Sequence, residues 1–145
     1  MAAYDVVVIG NIGIDTNVYF HDGSHTGGES CFTENRDYIG QAGGYAARGY
    51  ARLGYSTAFI GHVGDDCFGH FIRDQLTRDG IDTRALFTDP AGTSRSINLM
   101  RADGTRQNFY DGKSHVTLQP DRHVCEAVLR DARLVHMNLP NWGRL

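Results

Sequence analysis

GQAGGYAARGYARLGYSTAFIGHVGDDCFG, residues 40–69, is the stretch whose reading decides the fold. Its first part, from the Gly43-Gly44 pair to Leu53, is built of small residues and closes on Ala-Arg-Leu-Gly, which predicts a short helix opened by glycines. Residues 57–63 then form an apolar, β-rich run of the kind buried on both faces of a sheet. Asp65 or Asp66 caps a second helix, whose Phe68, Phe71, Ile72, Gln75 and Leu76 follow helical spacing. Gly80 ends it, as a left-handed C-terminal residue should.

Working outward, YDVVVIG at residues 4–10 is another continuous β-branched run and predicts a first central strand. Between it and the first helix the chain turns polar from Asp15 to Gln41 and is broken by Gly23, Gly27 and Gly28. Short alternating pieces at 17–20 and 30–32 make this an excursion from the sheet. Downstream, a short strand at 85–87 precedes two alternating stretches, 93–100 and 106–110, joined by Ala-Asp-Gly-Thr; Asp103-Gly104 there is a hairpin signal. Pro120 starts a helix with Val124, Ala127 and Val128 on one face, and residues 134–137 form a last buried strand. Such alternation predicts an α/β fold with a parallel sheet, and the two polar insertions pair as a separate small sheet. There is no internal repeat, low-complexity tract or interdomain linker.

The bulk numbers narrow the function classes. At 145 residues and 41% hydrophobic content the chain is one domain with a real core. Net charge is −3 with charges scattered, so neither a nucleic acid nor an anionic membrane is the expected partner, and a small molecule is. No apolar run approaches the ~20 residues of a spanning helix, and the start lacks a signal-peptide pattern, so the expected location is cytoplasmic. Cys31, Cys67 and Cys125 are widely spaced and odd in number, with no C-x-x-C, which fits reduced buried thiols better than a disulfide framework or a zinc site. The seven histidines are scattered, with no H-x-x-x-H, and no metal site is expected.

With these elements in order, the chain resembles the ribokinase-like (PfkB-type) carbohydrate kinases. The resemblance rests on the Gly pair, the small-residue helix ending in A-R-L-G, the V-G-x-D-x-x-G phrase and the L-x-x-x-G-I-D-T phrase from Leu76 to Thr83. It extends from GNIGID at residues 10–15 to the strand ending at Asn138. It implies a parallel sheet flanked by helices with a small β-sheet lid, the insertions at about 16–41 and 93–110 forming that lid. It also implies that residues 1–145 are the amino-terminal, substrate-binding half of one α/β domain, with the carboxyl-terminal half missing. The family moves the γ-phosphoryl of MgATP to a hydroxyl of a sugar, sugar phosphate or nucleoside. The Gly-Ala-Gly-Asp segment that stabilises the phosphoryl group and supplies the base does not occur in this sequence. The expectation is therefore no catalytic residue in this chain, ATP and Mg used by the complete enzyme, and neither bound by this chain alone.

For each candidate site residue a plainer alternative stands beside the functional reading. Asp15 follows the first strand, where ligands collect in open α/β sheets, and the resemblance implies that it accepts two hydrogen bonds from sugar hydroxyls; the alternative is a turn aspartate bonding its own backbone. Gly43 and Gly44 let backbone N–H groups approach a ligand, or simply make a tight strand-to-helix turn. Arg48 stands where the family has an asparagine, in a helix roughly one turn shorter than the common form. It either binds a phosphate or carboxylate or is a solvated helix residue. Ser96 and Asn98 share one face of a strand and are expected to look onto the sugar, with Arg95 and Leu99 facing away; the alternative is an ordinary edge strand. Asn138 matches a position that is acidic in ribokinase-type members. Phe109 and Tyr110 are read as lid packing, and the Asp65-Asp66 pair as capping.

The expected function is a sugar kinase, fragment or half, that binds the sugar acceptor. The alternatives are a nucleoside kinase of the same fold and a non-catalytic sugar-binding or dimerising module. Expected partners are a sugar or sugar derivative and the missing half or a second chain, with a homodimer through the lid as an option.

Overall fold

A computed structural model of the protein describes residues 2–20, 33–112 and 120–138. Eleven elements occur among them, in the order β1 (Tyr4–Gly10), β2 (Gly13–Phe20), β3 (Thr33–Gly40), α1 (Ala42–Arg52), β4 (Thr57–Gly64), α2 (Cys67–Arg78), β5 (Asp82–Asp89), β6 (Ser94–Met100), β7 (Arg106–Asp111), α3 (Arg122–Arg130) and β8 (Ala132–Asn138).

They form two sheets. One is parallel, in the order β5-β4-β1-β8, and the other runs β3-β2-β6-β7. β1 explains why helices cover both faces of the first. Its Val6 and Val8 point into a core with Phe59, Val63, Ile72 and Leu76, on the side of α1 and α2. Val7 and Ile9 point the other way, to Ile60, Ala85, Cys125 and Val128 under α3. A strand buried on both faces needs apolar residues at every position, and β1 and β4 have them.

The second sheet is the lid, and it sits on the same core. Ile14 of β2 and Ile39 of β3 are buried in the cluster that contains Ala47 and Phe59. Arg95, on the same face, stacks over Phe68 of α2, as the alternation along β6 demands. The lid begins earlier than its polar composition suggests: β2 starts at Gly13, directly after the short Asn11–Ile12 link, because Ile14 serves the core while already belonging to the lid. The alternating piece expected at 30–32 lies outside the described residues; β3 opens at Thr33.

Helix ends follow their chemistry. Asp66, not Asp65, caps α2, its Oδ1 accepting from Gly69 N at 2.9 Å; Asp65 pairs with His70 instead. The C-terminal side of α2 closes at Gly80 with φ +75°. α3 starts two residues after Pro120, because Asp121 takes the cap and accepts from His123 N and Val124 N.

Candidate functional site

Strand register assembles the site. Asp15 and Asn17 share one face of β2, and parallel pairing puts Ser96 and Asn98 of β6 opposite them. Antiparallel pairing then puts Tyr110 and Asn108 of β7 opposite those. This polar face of the lid looks onto Asn11, Gln41 and Tyr45, and together they line a cavity of about 480 Å³. Arg106 adds a positive charge to the same lining.

The Asp15 carboxylate is held from two directions. Tyr45 donates its hydroxyl to Oδ2 at 2.8 Å, and Gln41 Nε2 lies 3.4 Å from Oδ1. Partial burial, together with the bond to Asp15, pushes the Tyr45 phenol up to about 12, so at neutral pH it is a donor. Gly40 makes room for the carboxylate: a Cβ there would lie 2.2 Å from Asp15 Oδ2.

Gln41 carries the one positive φ of a non-glycine residue among the described residues, at φ 66° and ψ 155°. That region belongs to glycine and costs another residue about 1–3 kcal/mol, a strain that collects at functional sites. Gln41 precedes α1 without capping it through its side chain. Instead its Nε2 donates to Ser96 Oγ at 3.1 Å, and its Oε1 accepts from Asn11 Nδ2 at 3.3 Å. Asn11 is buried, and its Oδ1 has no hydrogen-bond partner among the described residues.

Across the lid an amide row continues the polar surface. Asn108 Nδ2 donates to Asn98 Oδ1 and Asn98 Nδ2 to Asn17 Oδ1, both at 2.9 Å. Burial pushes the Tyr110 phenol up, while hydrogen bonds from Ser94 and Asn11 pull it the other way. A single carboxylate, several amides and two phenols suit a ligand with many hydroxyls. Among the described residues no three His, Cys, Asp or Glu stand together.

Of the residues singled out from the sequence, Asp15, Ser96 and Asn98 come together in this cavity. Gly43 and Gly44 lie beside it, buried, with a packing role of their own. A Cβ on Gly43 would lie 2.5 Å from Asn11 O and one on Gly44 2.9 Å from Ile12 Cγ1, so the pair seats α1 flush on the β1–β2 link. Arg48 is elsewhere: its Nε pairs with Asp79 at the end of α2, and its side chain lines a second cavity. Asn138 pairs with Gly10 at the end of β8, outside the lining of the first cavity. Asn11, Gln41, Tyr45, Arg106 and Asn108 escaped the sequence reading. The hairpin register gave a signal for Asn108 and for Tyr110, which was read as lid packing: both alternate with Phe109 and so share the face of Ser96 and Asn98.

The family model for pfkB carbohydrate kinases matches residues 4–139. The chain belongs to the pfkB family of carbohydrate kinases. Among its pfkB relatives, it is 34% identical over 137 residues to acarbose 7(IV)-phosphotransferase of an Actinoplanes strain, covering 92% of this chain and 45% of that protein. It is 38% identical over 133 residues to 5-dehydro-2-deoxygluconokinase of Geobacillus thermodenitrificans, covering 89% of this chain and 38% of the relative. The solved structure of a microbiome-derived acarbose kinase superposes with TM-score 0.85 at 30% identity, over 97% of this chain and 47% of that one. Arabidopsis thaliana ribokinase, solved with ribose and ATP, shares the fold at TM-score 0.81 and 22% identity, over 95% of this chain and 46% of the ribokinase. The pfkB segment here thus spans about half or less of the length of these relatives.

Proposed function

We propose that the complete protein is an ATP-dependent carbohydrate kinase and that this chain contributes the half that holds the sugar acceptor. The observation that carries the reading is the cavity at Asp15, where an oriented carboxylate, the Ser96 hydroxyl and the amides of Asn98 and Asn108 converge on one space. In this reading residues 1–145 are the amino-terminal half of one α/β domain, with lid insertions at about 16–41 and 93–110. Asp15, Ser96 and Asn98 bind sugar hydroxyls, and the Gly43 N–H at the start of α1 is offered to the acceptor's oxygens while the Gly44 N–H holds Asn11 O. Asn138 contributes from the sheet beside Gly10.

ATP, its magnesium, the phosphate cradle and the base that takes the hydroxyl proton come from a segment outside this chain. This half orients the acceptor and excludes water from it, which is a large part of phosphoryl-transfer catalysis. The same family supports a cytoplasmic enzyme. Among the described residues, no helix is long and apolar enough to cross a membrane. A homodimer through the lid is supported by Ile97 and Phe109, which pair across β6 and β7 on the face away from the cavity and are both exposed.

The test is a panel of pentoses, hexoses, sugar acids, oligosaccharides and nucleosides offered with MgATP to the full-length protein. Turnover of a saccharide is expected, and Asp15→Asn should lower kcat/KM by about 10–100-fold through its weakened hydrogen bonds. Phosphorylation of nucleosides alone would favour the nucleoside-kinase alternative. Saccharide binding without turnover would favour the non-catalytic module.

A further inference from the structure

Two cavities lie side by side beneath the lid, and Tyr45 is a wall of both. The first holds Asp15. The second, about 560 Å³, lies between Asn17 and Tyr38 on the polar face of the lid and Arg48 and Arg52 on α1. Both volumes fall in the range of small-molecule sites. The amide row joins them, because Asn98 and Asn108 line the first cavity, Asn17 lines the second, and the hydrogen bonds run unbroken from one to the other. One sugar ring held at Asp15 leaves the second space unfilled.

The chemistry of the second cavity selects its occupant. Tyr38 is 39% exposed and Tyr45 57% exposed, so each offers an aromatic surface to a ligand. Aromatic faces take the C–H side of a sugar ring, while Asn17 and the arginines bond its hydroxyls. An apolar ligand would strip water from the guanidinium groups of Arg48 and Arg52 and replace it with nothing. A free phosphate would use the cations but neither the tyrosines nor the amide row.

We propose that the second cavity is an acceptor subsite that receives a further ring of an oligosaccharide or glycoside whose reacting ring is held at Asp15. The proposal rests on the sugar-kinase reading and deepens it: the acceptor is larger than a monosaccharide. Arg48 then contacts the acceptor through this extension, anchored meanwhile by Asp79.

The experiment measures Kd by calorimetry on the full chain for glucose, fructose and ribose, and for maltose, sucrose and maltotriose. At least one oligosaccharide is expected to bind about tenfold or more tighter than its own component monosaccharide. Tyr38→Ala and Arg52→Ala should each erase most of that increment and leave the monosaccharide Kd within about twofold, whereas Asp15→Asn should weaken both. Oligosaccharides that bind no tighter than their components would overturn the subsite. So would a Tyr38→Ala or Arg52→Ala effect equal on both sizes of sugar, or loss of the whole increment to competing inorganic phosphate. If no saccharide of any length binds, the acceptor-site reading itself falls and this inference with it, a result distinct from monosaccharide binding without the increment.

Discussion

Gly40 illustrates how single residues shape this site. Its missing side chain is the space into which the Asp15 carboxylate folds, and the colliding atoms in Gly40→Ala would be the far end of a movable side chain. The substitution should therefore cost little stability but push Asp15 off Tyr45, with acceptor affinity falling by about tenfold or more as charge-assisted hydrogen bonds worth ~1.5–3 kcal/mol are lost. Calorimetry beside thermal melts checks this; unchanged affinity would show that Asp15 does not hold the acceptor. At this scale much was legible in the sequence. Strand periodicity put Ser96 and Asn98 on one face of a strand, while Asp15 stood out by its place after the first strand and by the family resemblance. Gln41 was hidden because its role depends on a positive φ at a helix start, which no residue type but glycine announces. Tyr45 was hidden because its partner, Asp15, lies 30 residues away across the sheet.

Elements are tied together by a few carboxylates. Asp66 caps α2 and also bonds the start of the second lid insertion, accepting from Thr93 N at 2.8 Å and Thr93 Oγ1 at 2.7 Å. Asp66→Ala should destabilise the fold by about 1–2 kcal/mol, readable by urea denaturation, since it removes a cap and a tether at once. Asp82, at the start of β5, binds the Tyr4 hydroxyl of β1 and the guanidinium of Arg84. Burial opposes its charge, but these hydrogen bonds prevail and hold its carboxyl at about 2. A depressed folded-state value means the stabilisation is fully present above the ordinary carboxylate range, near pH 4, and is lost as pH falls from there through about 2. Asp82→Asn should flatten the decline of stability with acid in that window; an unchanged acid limb would remove the triad from the account. The order of these elements was legible because hydrophobic period and glycine punctuation are local signals. The start of the lid at Gly13 was not, since Ile14 reads as core and lid together.

At the scale of the whole molecule, β8 is an outer strand of the described parallel sheet. This strand ends the parallel sheet among the described residues, and Leu134, Val135 and Met137 on it are exposed, two of them by more than half. Beside it a cavity of about 420 Å³ is lined by Val6, Tyr50, Tyr55 and Leu134 together with the paired Asp5 and Arg133. An apolar sheet edge of this kind pairs with another strand. We therefore expect the isolated 145-residue chain to self-associate at micromolar concentration in light scattering, and Leu134→Lys with Met137→Lys to reduce the association. A clean monomer before any substitution would contradict this.

The central claim is that the sugar acceptor sits between the lid and the start of α1, and amide chemical shifts of the isotope-labelled chain test it most directly. On titration with a saccharide that the full-length protein phosphorylates, shifts should concentrate at Asn11, Asp15, Gln41, Tyr45, Ser96 and Asn98, and Asp15→Asn should move their midpoint to about 10–100-fold higher saccharide concentration. Shifts centred on α3 or β5 instead, or a pattern indifferent to Asp15→Asn, would contradict it.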